Sequence, residues 1–337
     1  MMLETQCGRP LHRSAQSPAS HIGLQALGRR ALRSAFGLES RWRNRTFMFL
    51  AALAWSTALP GVARAQEALG SRVNAVVAFD FSTDYITPRG LHVEDRGVVA
   101  QPLMLLLWKL RSADKGAIAD VTLTTGIWNS FHSHKAGFKP SRWNEVDPIL
   151  GLTVKLRNGM TVDASTTAFY TPTESYATST HADFKVTFNN AVVSGVSLNP
   201  YVGYWVELNN KSTVMFNRGT SKEGSYLRLG AAPSFGLGAT GASLEIGASA
   251  NIVSSSFYQR FDGSDGGSGL ALLSIAPKLS VPLKGMGVSH GAWTAYVGAN
   301  YYHLRNDGLL DGNQVLLAGG ERNTNMTQFR GGLSVFF

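Results

Sequence analysis

From residue 73 onward the chain alternates apolar and polar positions in short segments separated by Gly, Asn, Asp and Ser clusters. Strand side chains point alternately to two faces, so a period of two predicts strands with one apolar face. Twelve segments fit, at about 73–81, 98–110, 118–128, 148–156, 160–170, 176–188, 199–208, 225–237, 242–253, 270–281, 293–304 and 326–337. The ninth is the most regular: Leu244, Ile246, Ala248, Ala250 and Ile252 alternate with Ser243, Glu245, Ser249 and Asn251. The second is the least regular, almost uniformly apolar from Pro102 to Trp108. Asn158-Gly159, between the fourth and fifth, is a strong hairpin signal.

The connections alternate as well. Those at 111–117, 157–159, 189–198, 238–241 and 282–292 are short, whereas 82–97, 129–147, 209–224, 254–269 and 305–325 are long. Only 171–175 departs from this order. An even number of antiparallel strands with short turns at one end and long loops at the other is the plan of a bacterial membrane barrel. No run of 18 apolar residues occurs beyond residue 65, so a membrane form must cross with strands. Backbone groups in hydrocarbon must all be paired, which closes such a sheet on itself. The expected fold is all-β: a closed antiparallel transmembrane β-barrel of about 12 strands over residues 66–337, with short periplasmic turns and long outer loops. A secreted β-sandwich, whose strands also alternate, is the rival.

The chain stops in mid-strand on Phe336-Phe337. Arg330, Gly332, Val335 and Phe337 form a pattern that resembles the C-terminal assembly signal of bacterial outer-membrane β-barrel proteins. The resemblance implies an outer-membrane location among lipid, with insertion by the barrel-assembly machinery. Phe81 to Leu91, with Asp84-Tyr85 followed after a short gap by Arg89-Gly90, resembles the first strand and loop of an uncharacterised porin-like family. That likeness implies passage of small solutes and no particular cargo.

Charge first points elsewhere. The net charge of +9 would suit nucleic acid or an anionic surface, but residues 1–65 carry nine arginines against two glutamates. The remaining residues carry 22 basic and 20 acidic groups, so no nucleic-acid partner is expected. The basic stretch reads as a leader with a secretory signal. Arg41, Arg43 and Arg45 precede an apolar run at 47–59, and Ala63-Arg64-Ala65 offers a cleavage site after Ala65. Residues 1–40 read as an overlong or mis-started n-region. The single cysteine, Cys7, also lies there, so the mature chain needs no thiol chemistry.

If the apolar faces meet lipid, the opposite faces form a lumen. They carry Asp80, Asp120, Asp163, Asp183, Glu207 and Glu245 with Lys155, Lys185, Arg228, Lys278 and Arg330. Six acidic and five basic groups do not make a ring of one sign, so a strongly ion-selective pore is not expected. These groups either pair across the lumen and plug it or line a narrow wet channel. The functional expectation is a porin-like channel for passive diffusion of small hydrophilic solutes; the alternatives are a lumen-plugged structural or adhesive barrel and a barrel-embedded lipid hydrolase.

Candidate chemistry is sparse. His132-Ser133-His134, placed in an outer loop, could seed a zinc site but lacks a third ligand at a recognisable spacing. His181 near Ser179 and Thr180, or His303 near Asn300, could be cast as a hydrolase pair, without a supporting flanking motif. The glycines of 262–269 follow no strand–helix unit and read as a flexible outer loop. No metal, cofactor or enzymatic activity is expected.

Overall fold

A computed structural model describes residues 72–136, 141–174, 176–189, 191–193, 196–210, 223–283, 291–317 and 320–337. The leader read over residues 1–65 lies outside them. Twelve long strands form the wall: β1 (Val73–Ser82), β2 (Val99–Ser112), β3 (Ile118–Ala136), β4 (Ser141–Leu156), β5 (Met160–Phe169), β6 (Ser179–Phe188), β7 (Tyr201–Asn209), β8 (Ser225–Ala231), β9 (Ala242–Val253), β10 (Gly269–Pro282), β11 (Ala292–Leu304) and β12 (Asn325–Phe336). Each pairs antiparallel with its neighbours in sequence, and β1 pairs with β12, so the sheet closes. Closure leaves no strand edge, the condition for a sheet in hydrocarbon.

The usual distribution of apolar and polar residues is inverted. Phe79, Met104, Ile275, Val297 and Phe329 are exposed on the outer face, while Asp163, Asp183, Lys185, Glu245 and Lys278 are buried inside. In water such an outer surface would be far larger than the apolar patches a monomer carries. Against lipid tails it is the matching solvent.

The strand positions follow the alternation closely, and the departures have local causes. The predicted loop 129–147 is mostly a tall hairpin in which β3 and β4 pair up to Ala136↔Ser141. Phe131 and Trp143 stack on its outer side, ring centroids 6.0 Å apart. His132 therefore sits on a strand. The eighth segment is interrupted at Pro233, which has no N–H to donate, and resumes at Ser234–Leu237. Both pieces pair with β9.

The loop expected at 305–325 contains a helix, α1 (Asp307–Leu316). Asn306 caps it by accepting a hydrogen bond from the Leu309 N–H, and Asp307 occupies the first turn. The loop after β1 folds into the barrel as an inner hairpin, Tyr85–Ile86 paired with His92–Glu94. Leu309 and Leu310 of α1, Ile86 and Leu91 of the hairpin, and Phe257 and Tyr258 of the 254–268 connection meet inward-facing Trp205, Tyr226, Leu272 and Leu304. The result is an apolar core inside the loop end of the barrel. Gly90 is required in it: its φ is +84°, and a Cβ would meet the side chains of Leu309 and Leu304.

Candidate functional site: a charge-lined vestibule under an interior plug

Below the apolar core the lumen is hollow. A cavity of about 1410 Å³ runs from the turn end, past Gly159 and Gly238, to a floor that includes Arg89, Tyr85, Asp147, Phe169, His181 and Trp205. Of the eleven lumen residues expected from the sequence, nine line it: Asp80, Asp120, Lys155, Asp163, Asp183, Lys185, Glu245, Lys278 and Arg330. Arg89, Asp147 and Arg157 join them, which makes six acidic and six basic groups.

The other two are buried on the inner face but outside the cavity lining. Glu207 stands on the loop side of the floor, where its carboxylate accepts the Gly224 N–H at 2.7 Å. Arg228 is buried behind the wall surface because it lies over Gly203 of β7 and donates to Asp183 Oδ2 at 3.1 Å. A Cβ at residue 203 would only touch the guanidinium, whose Nε lies 3.5 Å from that position, and a larger side chain would crowd it.

The charged groups pair along the wall, which replaces the expectation of pairing across the lumen. Asp163 faces Lys185 in register on β5 and β6, 3.5 Å apart. Glu245 faces Lys278 on β9 and β10 at 3.2 Å. Asp120 faces Lys155 in register on β3 and β4, and Asp80 lies in the field of Arg330 and Lys278. Opposite charges one strand apart satisfy one another without reaching into the lumen. Thr153 adds a 2.8 Å hydrogen bond to Asp163.

What fills the lumen is the hairpin, and it is held by polar contacts. Tyr85 donates to Glu145 Oε2 at 2.6 Å, and Asn251 and Asn313 donate to the carbonyls of Pro88 and Gly90. The Tyr258 hydroxyl donates to the Arg89 carbonyl, and the Arg89 guanidinium stacks over Phe169 and Trp205, 4.4 and 5.3 Å from their ring centroids. At the start of the hairpin His92 bridges to Asp84 at 3.1 Å. Burial works to raise the Asp84 pKa, but hydrogen bonds from His92 and Thr83 outweigh it and hold the carboxyl below its ordinary value.

The histidines take up other roles than those considered from sequence. His132 points to Ser130 Oγ (3.0 Å) and Glu94 Oε2 (3.6 Å), away from any second histidine. Ser130, His132 and Glu94 thus stand in order, with Ser130 0% exposed and outside the cavity lining. The trio joins the hairpin to β3. Ser130-x-His132 on one strand face is the sequence signal for this contact, and it carries meaning only because the segment is a strand. His181 is sandwiched between Phe169 and Trp205, ring centroids 3.7 and 4.7 Å away, while Ser179 donates instead to the Asn210 carbonyl. His303 Nδ1 meets Asn325 Oδ1 at the loop end.

The assembly pattern lies on the closing strand. Gly332 faces Asp80 across the β1–β12 pairing, and Phe337 exchanges two backbone hydrogen bonds with Ala75. Val335 is 5% exposed, with the chain at Gly291 packed against it.

A closed twelve-strand barrel with an apolar outer surface and a charged interior defines the class: this is a transmembrane β-barrel of the outer-membrane type. No family model and no curated protein matches the chain. Solved structures with a similar course include an outer membrane channel from Pseudomonas putida F1, at 11% identity over 79% of this chain and 95% of that one, TM-score 0.43. The beta domain of the Bordetella autotransporter BrkA is 10% identical over 79% and 99%, TM-score 0.38. Pseudomonas putida OprB is 8% identical over 79% and 94%, TM-score 0.34. At these values the likenesses carry no argument about this chain, whose class rests on its own closure and its inverted surfaces.

Proposed function

We propose that the barrel lets small hydrophilic solutes diffuse across the outer membrane, and that the conformation described is its closed state. The observation that supports this reading is the vestibule: a large cavity, lined in part by paired charges, that runs to the turn end. Paired charges give a wall that is wet but nearly neutral, suited to solutes without strong charge selection. The hairpin is the gate, because it is a short loop segment held in the lumen chiefly by polar contacts and a few apolar side chains. Insertion by the barrel-assembly machinery through the closing strand is part of the same proposal, and no catalysis is.

Planar-bilayer recording of the refolded barrel tests the reading. Discrete conductance steps are expected, rare in the wild type and frequent when residues 84–95 are replaced by a Gly-Ser linker. Absence of steps from both proteins overturns it. The apolar core at the loop end favours a second reading, a permanently plugged barrel with a structural or adhesive role, and that outcome would establish it.

A further inference from the structure

The vestibule wall is not uniform. On the β1–β4 side Val76, Ala78, Leu103, Leu105, Leu107 and Ile149 all line the cavity. They form one patch, because Val76 faces Leu105 and Ala78 faces Leu103 in register, and the Leu105 side chain lies over Gly126 of β3. Leu105, Leu107 and Ile149 are only partly buried, so apolar surface faces the lumen. Leaving such a patch in contact with water is unfavourable by roughly 25 cal/mol per Å². The interior of a simple aqueous pore has no use for it.

The other side, β5 to β10, carries the Asp163–Lys185, Asp183–Arg228 and Glu245–Lys278 pairs. On β6 of the same side stand buried polar atoms with no hydrogen-bond partner among the described residues. Asp183 Oδ1 and both ring nitrogens of His181 have none, and the two residues are 4% and 3% exposed. Both line the cavity. Their polar atoms are shielded in this conformation, and Phe169 and Trp205 flank the His181 ring.

We propose that the vestibule is a binding site for a small amphipathic molecule of zero net charge, with an apolar body and a zwitterionic head. The apolar body rests on the Val76–Leu107 side. The head lies along the paired charges, where each of its poles is near a group of opposite sign and neither pair has to be broken. The equal count of acidic and basic groups in the lining opposes a ligand with a net charge, which would lack a free counter-charge. The volume of about 1410 Å³ exceeds the few hundred Å³ that a ligand of this size occupies, leaving room for bridging water. This rests on the solute-passage reading and names its substrate class.

The test is equilibrium binding to the full mature barrel in nanodiscs, read by calorimetry, with L-phenylalanine as the probe. Glycine supplies the same head without the body; phenylpropionate and phenethylamine supply the body with one charge. Saturable binding of phenylalanine is expected, with each of the other three at least tenfold weaker. Leu105→Ser combined with Leu107→Ser should weaken phenylalanine at least fivefold, in a protein whose heat-modifiable gel mobility shows that the barrel is intact. Should that variant not fold, Asp183→Asn, which changes the polar side, should weaken phenylalanine and phenylpropionate unequally. Equal binding of glycine and phenylalanine, or no saturable binding of either, overturns the proposal. Binding without conductance would leave the site standing and remove the channel; conductance without binding would do the reverse.

Discussion

Arg228 reaches Asp183 across a whole strand: the two residues stand on β8 and β6, and the 3.1 Å contact passes over Gly203 of β7. Asp183→Asn should leave the guanidinium buried without its charge partner. Breaking a buried pair from one side costs about 3 kcal/mol, the lower end of the usual range because a polar cavity adjoins. Urea unfolding from lipid vesicles, followed by tryptophan fluorescence, measures the loss. Gly203→Val should produce a similar loss by displacing Arg228, and adding it to Asp183→Asn should cost less than the sum of the two.

Leu309 is fully buried in the plug, against Gly90. Leu309→Ala should open a cavity that costs the plug about 2–5 kcal/mol. The barrel wall is untouched, so heat-modifiable mobility should persist while open events in planar bilayers become more frequent. Unchanged gating would show that α1 is not part of the closure.

The Asp84–His92 bridge predicts acid sensitivity. Asp84 has a folded-state pKa below its unfolded one, so its contribution is fully present above the unfolded value of about 4 and is lost as pH falls through the lower folded value. Hairpin release should therefore rise below about pH 4, read as conductance or as faster proteolysis between residues 84 and 95. Other carboxylates titrate in the same range, and Asp84→Asn isolates this one: it should be looser at neutral pH and respond less to acid.

Phe337 closes the ring through two backbone hydrogen bonds to Ala75, 2.9 and 3.2 Å long. Deleting Phe337 should slow membrane insertion several-fold, visible as a larger urea-extractable fraction after a pulse of synthesis. Full-rate insertion would mean that the terminal strand is recognised without its last residue.

The wall was legible because period-two alternation is a direct image of a two-faced sheet. Strands such as β9, with Leu244 to Ile252 on one face, could be placed within a residue or so. The plug was not. Leu309 and Leu310 sit in a segment with two glycines, Gly308 and Gly312, which lower helix propensity, and the capping signal of Asn306 is visible only once a helix is suspected. Nothing local distinguishes a loop that waves in solvent from one folded back into a lumen; that depends on Phe257, Tyr258 and Leu91 meeting from distant stretches. The irregular second segment had a meaning that alternation alone could not supply. Its odd positions, Leu103 to Leu107, are apolar because they face the vestibule, while its even ones face lipid.

Pro233 divides the strand opposite β9 into two pieces, with six paired positions on one side of the break and four on the other. Pro102 and Pro277 mark comparable gaps in the β2–β3 and β10–β11 registers, and at Pro233 the Ile246 N–H still bonds the proline carbonyl. A hoop under load parts where its fibres are cut. If the barrel breathes, widens to admit a bulky solute, or unzips during unfolding, the movement should start at one of these proline-marked junctions and not at the terminal strand that closes the ring.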